Sequence, residues 1–181
     1  MKKILFIFGE LNDDDIDWII ATGSREQISA GTVLIPQGKP IDALYILLEG
    51  TLGVSVAALD DKKIATLSSG EVVGEMSFVD SRLPSATVEA LEDSVVLAIP
   101  RSQLAEKLRL DVGFACRFYR AIAVFLSYRL RGTVNMLGYG QITQASEEDM
   151  KDIVASSPDA MDNVMLADVR FDWLLKRFNV R

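Results

Sequence analysis

The residues with chemical potential lie in one run: Gly74-Glu75-Met76-Ser77-Phe78, then Arg82-Leu83-Pro84-Ser85-Ala86-Thr87-Val88. A glycine without Cβ opens a short helix, a carboxylate sits in its first turn, and a loop leads directly into a strand. Exposed N–H groups at such a helix start attract an anion, while the carboxylate accepts hydrogen bonds from a neutral hydroxyl pair. A phosphate joined to a sugar satisfies both. The plainer account of Glu75 is a carboxylate favoured by the positive end of the helix dipole.

Other chemistry is removed by what the chain lacks. It has no histidine and one cysteine, Cys116, so the usual zinc, haem and histidine-based hydrolytic sites cannot be assembled. The acidic residues form no nucleophile–base pair. No catalytic residue, metal site or cofactor is therefore expected, and the chain is read as a non-enzyme. Cys116 stands beside Phe114 and Phe118 and is expected to be a buried small hydrophobe, which suits a reducing, cytoplasmic location. The scattered Met76, Met136, Met161 and Met165 suit gap filling.

The elements that position the run follow from periodicity. Residues 12–22 predict a helix capped by Asn12, with Asp13, Asp14 and Asp15 at its positive end. From about 27 to 99, short Val/Ile/Leu segments alternate with Gly, Pro, Ser and Asp punctuation, giving about seven strands, one face of each turned inward. Six of them are Val33–Ile35, Leu44–Leu48, Leu52–Val56, Ile64–Leu67, Ala86–Ala90 and Val95–Ile99. Leu104 and Leu108 mark a helix, and a long helix follows from about Asp111 to Leu137. Its stripe of Phe114, Phe118, Ile122, Phe125 and Leu126 is widened by Ala121, Val124 and Tyr128. Either the whole stripe covers the barrel, or its excess pairs with a second copy in a homodimer. Gly138-Tyr139-Gly140 breaks the helix. Residues 138–181 then form an acidic helical tail, with helices expected over Ser146–Ala155 and Val164–Phe178, the latter using Leu166, Trp173, Leu174 and Phe178.

Bulk properties narrow the partners. With 181 residues, 49% of them hydrophobic, the chain can build a real core, and its net charge of −7 repels phosphate polymers and acidic lipids. The apolar run Ile4–Phe8 stops at Gly9-Glu10, too short to export or span, and no membrane insertion is expected.

The run Gly74 to Val88 resembles the phosphate-binding cassette of cyclic nucleotide-binding domains, the type found in catabolite activator proteins and protein kinase A regulatory subunits. Gly38, Asp42, Leu44-Tyr45-Ile46, Gly50, Val54 and Gly70 match that family's upstream pattern, and the resemblance covers roughly residues 4–137. It implies a mainly β fold with α-helices: a double-stranded β-helix, or jelly-roll barrel, flanked by an N-terminal helix and a long C-terminal helix. It also implies a cyclic nucleotide ligand, cAMP or cGMP. Glu75 would bind the ribose 2′-hydroxyl. The amides of Gly74, Glu75, Met76 and Ser77 and of Ser85 and Ala86 would hold the cyclic phosphate, Ser85 would add its hydroxyl, and Thr87 would lie beside the base. Pro84 stands where most nucleotide-binding members carry a phosphate-pairing arginine. Arg82, two positions away, can compensate from the same side of an extended loop, or it is solvated at the loop tip.

Three functions compete. In the first, a regulatory sensor passes ligand occupancy through the long helix to a partner or dimer. In the second, a ligand-free scaffold docks another protein through its tail, as in a transport complex. The third is a transcription regulator of the Crp/Fnr type. It is disfavoured because the 44 residues after Leu137 are short for a helix-turn-helix and, from Gly138 on, carry eight acidic and five basic side chains.

Overall fold

The structure, a computed structural model, describes residues 4–59, 62–80, 82–139 and 158–180. Two four-stranded antiparallel sheets face each other. One has the order β1 (Ser24–Ile28), β8 (Ser94–Pro100), β3 (Ala43–Glu49), β6 (Val72–Val73); the other β2 (Val33–Ile35), β7 (Thr87–Ala90), β4 (Thr51–Ser55), β5 (Lys63–Ser68). Eight strands are described, one more than expected. The reasons are local: β1 is a polar strand with four of five residues exposed, and β6 is only two residues long.

The expectation of one buried face per strand fails for the central strands of the first sheet. Ile35, Ile41, Leu47, Leu52, Leu67, Val73, Val88, Ala90 and Val96 fill the space between the sheets. Leu44, Ile46, Leu48, Val95, Leu97 and Ile99 instead join a second core with the helices. β3 and β8 are covered on both sides, so they read as nearly continuous apolar runs.

The helices that supply this cover are α1 (Ile4–Glu10), α2 (Asp13–Thr22), α4 (Arg101–Leu110), α5 (Val112–Tyr139) and α6 (Pro158–Arg177). The short apolar N-terminal run is α1, with Ile7 and Phe8 buried. Asn12 caps α2 as expected, in a reciprocal box with Asp15. The last helix begins six residues earlier than periodicity indicated, with Pro158 at its first position, where a missing N–H costs nothing. It packs mainly on α1, and Ala167, Phe171, Leu174 and Leu175 enter the helical core. Of its four expected apolar members, Leu174 and Phe178 turn inward, whereas Leu166 and Trp173 face solvent. The helix expected over 146–155 lies outside the described residues.

Cys116 is exposed, not buried. Two positions along a helix is about 200° of rotation, so it points away from its buried neighbours Phe114 and Phe118. None of the described helices is long and apolar enough to cross a membrane.

Candidate functional site

The site is built where β6 ends. β6 pairs with β3 at Tyr45 and Ile46, which fixes the point at which the chain turns outward. Gly74 makes that turn at φ +90°, and a Cβ there would come within 2.8 Å of Ile41 Cδ1 and 3.3 Å of the Ala43 carbonyl. Both conformation and space demand glycine. The one-turn helix α3 (Met76–Val79) follows, with Glu75 at its N-cap. Ser77 ties it back, its hydroxyl donating to the Gly74 carbonyl at 2.8 Å.

Two arginines that periodicity had not singled out hold this turn. Arg101, at the start of α4, donates to the Ser77 hydroxyl at 2.7 Å and to the Ser77 carbonyl at 2.8 Å, its guanidinium 4.6 Å from the Phe78 ring centroid. The Ser77 side chain is thus committed internally. Arg129, on α5, donates to Glu75 Oε1 at 2.7 Å and to the Val72 carbonyl at 3.1 Å, and lies 3.6 Å from Glu71. Its guanidinium sits 4.4 Å from the Phe125 ring centroid. Sequence carried one signal for Arg129. It continues the Phe118, Ile122, Phe125 stripe at a position where an apolar residue is due, and a cation there needs a buried partner.

That partner is Glu75, whose side chain is only 3% exposed. Burial pushes its carboxyl above the ordinary range, and Arg129 pulls it part of the way back. The carboxylate therefore lies at the start of α3, bonded to the long helix.

The loop into β7 is held by the turn after β2, the neighbour of β7 in the same sheet. The Gly38 amide donates to the Pro84 carbonyl at 2.9 Å, and the Gln37 amide to the Thr87 hydroxyl at 3.2 Å. Ser85 is exposed, and Ala86 and Thr87 are half-buried. The amides of Met76, Ser85 and Ala86 find no acceptor among the described residues. The Met76 side chain is half exposed. Arg82 does not reach these donors: its side chain is 85% exposed and lies 3.8 Å from Asp80. Among the described residues no group of three or more His, Cys, Asp and Glu side chains could hold a metal ion.

With this geometry in place, the family follows. Residues 25–111 match the cyclic nucleotide-binding domain family. The chain is similar to the catabolite activator protein of Thermus thermophilus, with 28% identity, TM-score 0.59, and coverage of 73% of this chain and 61% of that one. It shares the fold of a cyclic nucleotide-binding domain from Methylobacillus flagellatus, at TM-score 0.67 and 18% identity, over 79% of this chain and 85% of that one. Among curated proteins it is 31% identical over 124 residues to glutaminase 2 of Bradyrhizobium diazoefficiens, spanning 68% of this chain and 19% of the relative's length.

The segment carrying β1 to α4 thus belongs to the cyclic nucleotide-binding domain family, and its two sheets with flanking helices are that family's β-roll. The chain spans about a fifth of the length of the curated relatives it matches first.

Proposed function

We propose that this chain is a regulatory sensor rather than a catalyst, whose cassette takes a cyclic nucleotide, cAMP or cGMP, and whose α5 passes occupancy to a second copy or a partner protein. One observation carries this: the carboxylate in the ribose-binding position is bonded directly to α5 through Arg129. A 2′-hydroxyl arriving at Glu75 must share or displace that guanidinium. The two positions of α5 then differ in their contacts with ligand, which is what population shift requires. The open amides of Met76, Ser85 and Ala86 support the phosphate seat.

The homodimer reading draws on a second face of α5. Val112, Cys116, Tyr119, Ala123, Leu126 and Leu130 recur at alternating spacings of four and three, the a/d pattern of a coiled coil. All but Leu126 are exposed, Val112 at 79% and Leu130 at 65%. A reducing, cytoplasmic setting suits the exposed thiol of Cys116.

A ligand-free scaffold is favoured by a different set of facts. Pro84 replaces the phosphate-pairing arginine, Arg82 faces solvent, and Arg129 already satisfies Glu75. Calorimetric titration with cAMP and cGMP separates the two. Saturable heat, altered by Arg129→Ala and unchanged by Arg82→Ala, supports the sensor; flat titrations and unshifted melting curves at millimolar nucleotide support the scaffold. In the sensor, Pro84→Arg should tighten binding by roughly ten- to a hundredfold, the worth of one charge-assisted phosphate bond.

A further inference from the structure

Among the described residues four arginines are half-buried, and three of them meet a carboxylate: Arg117 bonds Asp15 at 2.6 Å, Arg129 bonds Glu75 at 2.7 Å and Arg170 bonds Asp13 at 2.7 Å. Arg101 is the fourth, and both of its hydrogen bonds go to neutral oxygens of Ser77, the hydroxyl and the carbonyl. A cation drawn partly out of water is ordinarily paired with an anion. Here the guanidinium lies over the Phe78 ring, 4.6 Å from its centroid, and Ser77, itself 6% exposed, joins the charge to the Gly74–Glu75 turn.

Two hydrogen-bond relays run from Arg101 into that turn. In one, the Ser77 hydroxyl accepts from Arg101 at 2.7 Å and donates to the Gly74 carbonyl at 2.8 Å, which shares its peptide unit with the Glu75 amide. In the other, Arg101 donates to the Ser77 carbonyl at 2.8 Å, and the Phe78 amide of that peptide donates to the Glu75 carbonyl at 3.1 Å. The Glu75 carbonyl belongs in turn to the peptide that carries the Met76 amide. A charge-assisted bond at the head of such a chain polarises each member after it, so the partial positive charge on the last N–H grows. The Met76 amide, which finds no acceptor among the described residues, stands at the end of the second relay.

We infer that Arg101 is the positive charge of the anion seat, a positioning residue that acts on a bound phosphate through Ser77 and supplies from behind the turn the charge that Pro84 leaves out. The inference rests on the reading of the cassette as a seat for a cyclic phosphate. Glu71 and Glu75 are both 3% exposed, and a phosphate bound beside them is repelled. A cation with no carboxylate of its own offsets that repulsion more fully than one already paired, as Arg129 is.

Calorimetric titration of the whole chain with cAMP and cGMP tests this, using Arg101→Lys, which keeps the charge, and Arg101→Gln, which keeps a donor without it. A melting profile for each variant, taken first, gives the folded fraction to which its affinity is referred. Arg101→Gln should weaken both nucleotides about three- to tenfold, less than a direct arginine–phosphate bond is worth because the charge acts through another residue, and Arg101→Lys should recover most of that loss. Pro84→Arg completes a double-mutant cycle: it should tighten binding more in the Arg101→Gln chain than in the unaltered one, since two cations serving one phosphate are partly redundant. Three results each make Arg101 a tether for α3 alone and overturn the inference while the sensor reading survives: undiminished affinity in Arg101→Gln, equal losses in the two Arg101 variants, or an equal gain from Pro84→Arg in both backgrounds. Flat titrations of the unaltered chain sink the cyclic-nucleotide reading and this inference with it.

Discussion

Glu75 and Arg129 stand 54 residues apart in the chain, yet their side chains meet at 2.7 Å, joining the cassette to the long helix. The contact decides how both elements respond to pH. Burial holds the Glu75 carboxyl above its ordinary range against the pull of Arg129. A carboxyl raised in the native state keeps its proton where the unfolded chain has released it, so its contribution falls as pH rises between the two values.

Removing Arg129 raises the Glu75 carboxyl further and widens that window. Arg129→Ala should cost about 2–3 kcal/mol near pH 8, where a buried carboxylate is left without its cation, and clearly less near pH 5. Urea unfolding at the two pH values measures this. An equal cost at both would assign Arg129 to packing on Phe125 instead of to charge.

The same pair marks the limit of what sequence alone revealed. Gly74 and Glu75 suit a tight turn and a helix start by residue type, and the structure has them at the turn and the N-cap of α3. Alternation and punctuation located β2 to β5, β7 and β8 within a residue or two. What escaped was carried by tertiary contact. β1 is polar because it lies at a sheet edge, β6 is too short for a period, and Arg129 and Arg101 act on residues 54 and 24 positions away. Cys116 is exposed although Phe114 and Phe118 are buried, because a spacing of two along a helix turns a side chain to the other face.

Asp15 and Arg117 supply a contrasting titration. Arg117 donates to both carboxylate oxygens, at 2.6 and 2.8 Å, and joins α2 to α5. Burial alone would raise the Asp15 carboxyl, but the bonds from Arg117 and the Asn12 amide outweigh it and hold the group below its usual 3.8. A depressed carboxyl stabilises the fold above the unfolded value and loses that contribution as pH falls through the native one. Arg117→Met keeps the aliphatic stem and should cost about 2 kcal/mol at neutral pH. The gap to the unaltered chain should narrow in acid, as Asp15 takes up its proton. Urea midpoints at neutral pH and near pH 3 read both; a gap that widened in acid would contradict the ion-pair account.

Arg170 performs a different task, and its acceptors explain why lysine cannot replace it. One nitrogen donates to the Phe8 and Leu11 carbonyls at 2.7 and 2.8 Å, closing the C-terminal end of α1, where carbonyls lack intrahelical partners. The other two reach Asp13 Oδ1 at 2.9 and 2.7 Å, at the start of α2. A planar fork spans these acceptors together, whereas an ammonium is a point donor. Arg170→Ala should cost about 2–3 kcal/mol in thermal or urea unfolding, with Arg170→Lys recovering less than half of it. Asp13 is 82% exposed, so Asp13→Asn should cost under about 1 kcal/mol. If Asp13→Asn proved as costly as Arg170→Ala, the surface ion pair would be the stabilising contact and the carbonyl cap would not. Hydrogen exchange locates the effect: with the cap gone, protection should fall first in α1, whose last turn Arg170 closes, and in α6, which packs on it.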